Sequence, residues 1–117
     1  VVEVEIPGVG HLRNEVRRIL AFNEAVDMRK SFTGLMALVQ GTLHEDPLDG
    51  TIYAFFNRRG NFAKLIYFDR TGFCMFAKRL ENGRFTLPGD GRKQVLSERA
   101  LLLLLDGISL GKRRRIA

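Results

Sequence analysis

The chain has 117 residues, 45% of them apolar, and nineteen Lys and Arg against thirteen Asp and Glu give a net charge of +6. That length suits one domain over residues 1–117, with a variable segment at 1–15 and a basic, flexible tail at 111–117, and it can bury roughly 65% of the unfolded surface. The apolar fraction excludes a disordered chain, the lack of an apolar run of ~20 residues excludes a membrane-spanning helix, and the single cysteine, Cys74, excludes an internal disulfide.

From the N-terminus, "VEVEI" at 2–6 alternates and reads as a short strand ended by Pro7-Gly8. The acidic start does not read as a secretion signal, so the expected setting is the cytoplasm. "VRRILAF", 16–22, reads as a second strand. Asp27 is a candidate N-cap, and Met28, Phe32, Leu35, Met36, Val39 and Leu43 then fall at helical spacing. Arg29 and Lys30 would stand in the first turn, where cations oppose the helix dipole but where an anion would be welcome. "DPLDG" at 46–50 is turn chemistry. Strands are expected at 51–57, 62–68, 73–81 and 84–87, joined by the Gly-bearing connectors "RRGN", "DRTG" and "NG". After the loop "GDGRKQ", Ser97 caps a last helix rich in leucine, which Gly107 ends. The fold class is therefore α+β: an antiparallel meander of about four strands, one amphipathic helix before it and one short helix after it.

A meander places alternate turns at the same end of the sheet. The "RRGN" and "NG" turns would be neighbours, gathering Arg58, Arg59, Lys64, Lys78, Arg79 and Arg84 at one end with Glu81 as the nearby acid. A two-residue Asn82-Gly83 turn would pair Glu81 with Arg84 and put Arg79 on the same face, Lys64 and Phe62 joining them if the "DRTG" hairpin is tight. Such a cluster suits a sugar-phosphate backbone, since arginine forks onto phosphate and lysine adds a point charge. Phe62 is either a base-stacking ring or a core side chain. The plainer alternative for the whole cluster is solvated turn charge with a cross-strand Glu81–Arg84 pair. The terminal Lys112-Arg113-Arg114-Arg115 reads equally as a nucleic-acid arm or a solubilising end.

The run Leu101–Leu105 covers more than one helix face, so part of it would pack on the sheet and part would be left for a second copy or a partner. Leu101, Leu102, Leu104 and Leu105 are the candidates for that contact. No catalytic, metal or cofactor site is expected. His11 and His44 are isolated, and Asp27, Asp69 and Asp90 sit at cap or turn positions where Asp is common for structural reasons. No Gly-rich phosphate loop or nucleophile elbow is present.

Several stretches together resemble a known family. They are "DMRKSFTGLMALV", "RRGNFAKLIYFD", "GFCMFAKRLENGRF" and the late "LLLLLDGI". In combination they are similar to the second-open-reading-frame accessory proteins (TnpB) of bacterial insertion sequences of the sixty-six family, from about Arg18 to Ile108. The resemblance implies a role in transposition of a mobile element alongside a separate transposase, with no catalytic site assigned in the family. Two departures stand out. Phe68, Phe73 and Phe76 occupy the region where tryptophans are common in the family, and the stretch before Arg17 differs from the usual short start. The expectation is a noncatalytic accessory factor that binds DNA through Arg29, Lys30, Arg58, Arg59, Lys64, Lys78, Arg79 and Arg84. The alternative is an adaptor that meets the transposase through the C-terminal helix. DNA, the transposase and a second copy of the chain are the expected partners, and a membrane is not.

Overall fold

A computed structural model describes residues 17–107, so the strand expected at 2–6 and the basic tail at 111–117 lie outside the described residues. The elements are β1 (Ile19–Ala25), α1 (Phe32–Gly41), β2 (Ile52–Phe56), β3 (Phe62–Asp69), β4 (Gly72–Arg79), β5 (Lys93–Leu96) and α2 (Glu98–Leu105). They form one five-stranded sheet in the order β4-β3-β2-β1-β5, with α1 packed on one face and α2 on the other. The α+β class is as the sequence indicates.

β2 is the central strand, and its "IYAFF" is buried throughout because both faces are covered. Side chains alternate between two cores. Tyr53, Phe55 and Ile66 join Leu20, Phe22, Leu35 and Val39 under α1. Ile52, Ala54, Leu65 and Tyr67 join Ile19, Leu101, Leu104 and Leu105 under α2. β2, β3 and β4 form the antiparallel meander, in continuous register from Phe62↔Arg79 to Asp69↔Gly72. β1 runs parallel to β2, with α1 as the crossover that a parallel pair requires.

Three local expectations are corrected. Residues 84–87 are not a strand. A two-residue type I′ hairpin needs positive φ at both central residues, and here Gly83 has it (86°) while Asn82 does not. The chain instead leaves β4 and crosses the end of the sheet. Phe85 settles against Phe56, at 5.6 Å between ring centroids, and Leu87 packs on the α2-side core. Second, Lys93 and Gln94 of the expected "GDGRKQ" loop open a further strand, β5 (Lys93–Leu96), antiparallel to β1 at the opposite edge. Third, the N-cap position of α1 is Ser31, whose side chain makes no capping hydrogen bond, and not Asp27. The Asp27 carboxylate is taken by the backbone N–H and guanidinium of Arg29, and the Asp27 carbonyl accepts from Lys30 N. That turn delays the helix, so Arg29 and Lys30 lie just before the first turn of α1.

Candidate nucleic-acid interface

The β2–β3 connection, at the end of the sheet where β1 also stops, is built as a rigid tip. The Asn57 carbonyl accepts from Gly60 N at 3.1 Å, which closes a turn with Arg58 and Arg59 at its two central positions. Gly60 has φ 72°, a left-handed conformation that glycine adopts without steric cost. The Asn57 side chain holds the other half of the loop. Its Oδ1 accepts from the backbone N–H of Asn61 and of Phe62, both at 3.0 Å, and its Nδ2 donates to Asn61 Oδ1 at 2.8 Å. Arg58 and Arg59 are exposed, and among the described residues no carboxylate lies within ion-pair distance of either.

The crossing segment lies alongside this tip. Leu80 N donates to the Asn61 carbonyl and Phe85 N to the Gly60 carbonyl, each at 2.7 Å. Arg84 thus stands beside Gly60, where an added Cβ would lie 3.8 Å from its own Cβ. Arg58, Arg59 and Arg84 line an open groove of ≈ 240 Å³ floored by Phe56 and Phe85. The far wall is the end of β1. Ala21 pairs with Ala54 while Ala25 pairs with Phe56, so β1 carries two extra residues there and bulges. A second concavity lies on the other side of the tip, lined by Ala25, Val26, Asp27 and Met28 together with Asn57, Arg58 and Arg59.

On the α1 face, Lys64 Nζ donates to the Lys30 carbonyl at 2.8 Å, which fixes the start of the helix against β3. The stem of Lys30 lies over Gly34, where a Cβ would come within 3.1 Å of the Lys30 Cβ. Arg79 shares this face. Its guanidinium covers the Phe62 ring at 4.5 Å from the centroid, so that ring is occupied by its own cross-strand partner.

Two of the expected cations are placed differently. Lys78 points to the α2 face and pairs with Asp106 at 3.7 Å, away from Arg79. Arg29 is neutralised locally by Asp27, with Nη2 2.7 Å from Oδ2. The Arg29 guanidinium, and then the Arg29 backbone N–H, hold the Asp27 carboxyl down at about 2. The structure therefore brings Arg58, Arg59 and Arg84 together at the tip and sets Lys30, Lys64 and Arg79 on the neighbouring face. Glu81 is exposed and makes no ion pair with Arg84, so the expected cross-strand pair is absent among the described residues. Sequence reading missed Asn57 and the β1 bulge. The signal for Asn57 was an Asn at each end of a Gly-bearing turn, since Asn side chains bond readily to nearby backbone.

The leucine run is mostly core. Leu101, Leu104 and Leu105 are buried on the sheet and cannot also meet a partner, because the face of α2 that carries them is the face that closes the core. Leu102 and Leu103 are half-buried. Among the described residues no three His, Cys, Asp or Glu side chains converge as metal ligands, and no helix is long and apolar enough to cross a membrane.

Comparison with known proteins gives the following. The family model described as IS66 Orf2 like protein matches residues 17–115. The chain is 42% identical over 83 residues to an uncharacterized protein, y4hO, of Sinorhizobium fredii (strain NBRC 101917 / NGR234), a match covering 70% of this chain and 72% of that one. It is 36% identical over 89 residues to a second uncharacterized protein of the same organism, y4jC, covering 74% and 76%. No solved structure matches.

Proposed function

The chain belongs to the IS66 Orf2-like family, the transposition-associated accessory proteins of IS66 elements, and from that premise we propose that it serves transposition by binding DNA without a reaction of its own. The observation that carries the reading is the tip: Arg58, Arg59 and Arg84 converge on one rim without a carboxylate partner among the described residues. Lys30, Lys64 and Arg79 extend the positive surface along the α1 face. Cations left unneutralised and gathered at one place are what a polyanion needs, because each phosphate contact releases condensed counterions.

The test is duplex affinity against salt. Contact with three to five phosphates gives a slope of log K on log salt of about −3 to −4.5. Changing Arg58, Arg59 and Arg84 together to Ala should flatten that slope by about 2 to 3. Lys78→Ala should leave it unchanged, because Lys78 lies on the α2 face with Asp106. A wild-type affinity indifferent to salt rejects the reading. The adaptor alternative retains only Leu102 of its four expected leucines as a surface side chain, and the arginine rim supports DNA in preference.

A further inference from the structure

The elements that usually enter a major groove are not equipped to do so here. α1 reads "FTGLMALVQG" and carries no charged side chain, so it has no cation for a guanine edge and no basic face for a phosphate. α2 carries Arg99 beside Glu98, and its buried Leu101, Leu104 and Leu105 face the sheet. The β2–β3 ribbon lies at the centre of the sheet with strands on both sides, so it cannot be laid into a groove either. What remains is the tip: two consecutive exposed arginines on a braced turn, with the crossing segment hydrogen-bonded beside it and a concavity to each side.

Two long cationic side chains on one tight turn suit a narrow slot. The minor groove is about 6 Å wide, and in A·T-rich tracts it is narrower still and more negative, which draws arginine in. The two concavities then stand where the flanking phosphate ridges would lie. Arg84 and Gly60 line the one, together with Glu24, whose carboxylate is held by Arg92, and the segment leading to Lys30 lines the other. Asp27 also borders the second, with its carboxylate held by Arg29. We infer that the protein engages duplex DNA through the minor groove, with Arg58 and Arg59 inserted, and that it prefers A·T-rich sequence. This rests on the DNA-binding reading and adds the groove and the sequence class.

The test uses the full chain and four fluorescent probes of equal length, compared with one another at each of several salt concentrations: an A·T-tract duplex, a G·C duplex, the same G·C duplex with inosine replacing guanine, and the A-tract single strand. Inosine removes the minor-groove amino group and leaves the major-groove edge intact. The expected result is affinity at least roughly fivefold higher for the A·T duplex than for the G·C duplex, with inosine restoring most of the difference. Arg58→Lys with Arg59→Lys keeps the charge and the turn and should erase the preference while retaining most of the salt dependence. Equal affinity for the A·T and G·C duplexes, no rescue by inosine, or tighter binding of the single strand overturns the inference and leaves the DNA reading standing. Weak binding to all four probes without salt dependence removes both.

Discussion

Asn57→Ala tests the idea that one side chain holds the arginine tip. Asn57 makes three side-chain hydrogen bonds within the loop, to the backbone N–H of Asn61 and Phe62 and to Asn61 Oδ1. Each is half-buried, so a net ~0.5–1 kcal/mol apiece is appropriate and the variant should lose about 2 kcal/mol. In a domain of this size that lowers the melting temperature by roughly 10 °C. Urea unfolding should show the loss as a lower midpoint with an unchanged m-value, because surface exposed on unfolding hardly changes. Amide exchange at Asn61 and Phe62 should accelerate ahead of the rest of β3, since these are the two donors released. Asn57→Asp separates geometry from charge: it keeps Oδ1 for both amides, loses the Nδ2 donor and sets a carboxylate beside Arg58 and Arg59. It should keep most of the stability and still weaken DNA binding. A loss below about 0.5 kcal/mol for Asn57→Ala, together with unchanged exchange at Asn61 and Phe62, would show that the backbone alone fixes the tip.

Other outcomes follow from the same structure. Asp27→Asn releases Arg29 from its local partner and should steepen the salt dependence of DNA binding by about one phosphate contact; salt titrations of the two proteins decide it. The Asp27 carboxyl itself should titrate near 2, which carbon-detected NMR would show, and a midpoint near the ordinary aspartate value would contradict the pair with Arg29. Leu104→Ala empties a fully buried site between α2 and the sheet and should cost about 2–5 kcal/mol in denaturant unfolding. Glu45 accepts from Lys93 Nζ at 2.9 Å and from Arg18 Nη2 at 2.6 Å, and these two partners hold its carboxyl below the usual range. A depressed folded value means that this stabilisation is complete above the unfolded glutamate value of about 4.3 and disappears as the pH falls through the folded value. Glu45→Gln should therefore lose about 1 kcal/mol at neutral pH and show a shallower stability decline in acid; identical acid limbs would refute the clamp.

Periodicity was a sound guide wherever one face is buried. The helical spacing of Leu35, Met36 and Val39 and the strands expected at 51–57, 62–68 and 73–81 appear in α1, β2, β3 and β4, although Phe32 of the expected stripe is exposed and Met28 precedes the helix. The register that puts Phe62, Lys64 and Arg79 on one face was likewise legible, because a tight "DRTG" turn leaves no freedom to slip. Sequence failed where two local chemistries compete. Asn82-Gly83 is a hairpin signal, yet the apolar surface of Phe85 and Leu87 finds more cover across the end of the sheet than on an outer strand. Asp27 is an N-cap by type, yet an arginine two residues on claims its carboxylate first. β5 was illegible for a further reason. Its exposure alternates, with Lys93 and Val95 out and Gln94 and Leu96 in, but its residue types do not, because a glutamine faces inward and a valine outward; it is held at the edge by pairing with β1 rather than by its own pattern.

The failed hairpin is also what makes the arginine rim. Had residues 84–87 returned along β4, Glu81 and Arg84 would have faced each other across two strands as a neutralised pair, and Arg84 would have stayed at the outer edge of the sheet. Because Phe85 is drawn onto Phe56 and its N–H onto the Gly60 carbonyl, Arg84 is carried across to Arg58 and Arg59 and away from Glu81. Burial of one aromatic ring thus sets the electrostatics of the tip. The same step separates Arg79, which stays with Phe62 on the α1 face, from Lys78, which turns to Asp106 on the other. Charge summed along the sequence treats all of these cations alike. Packing sorts them into those with a carboxylate within reach and those without, and the second group is the one a polyanion would meet.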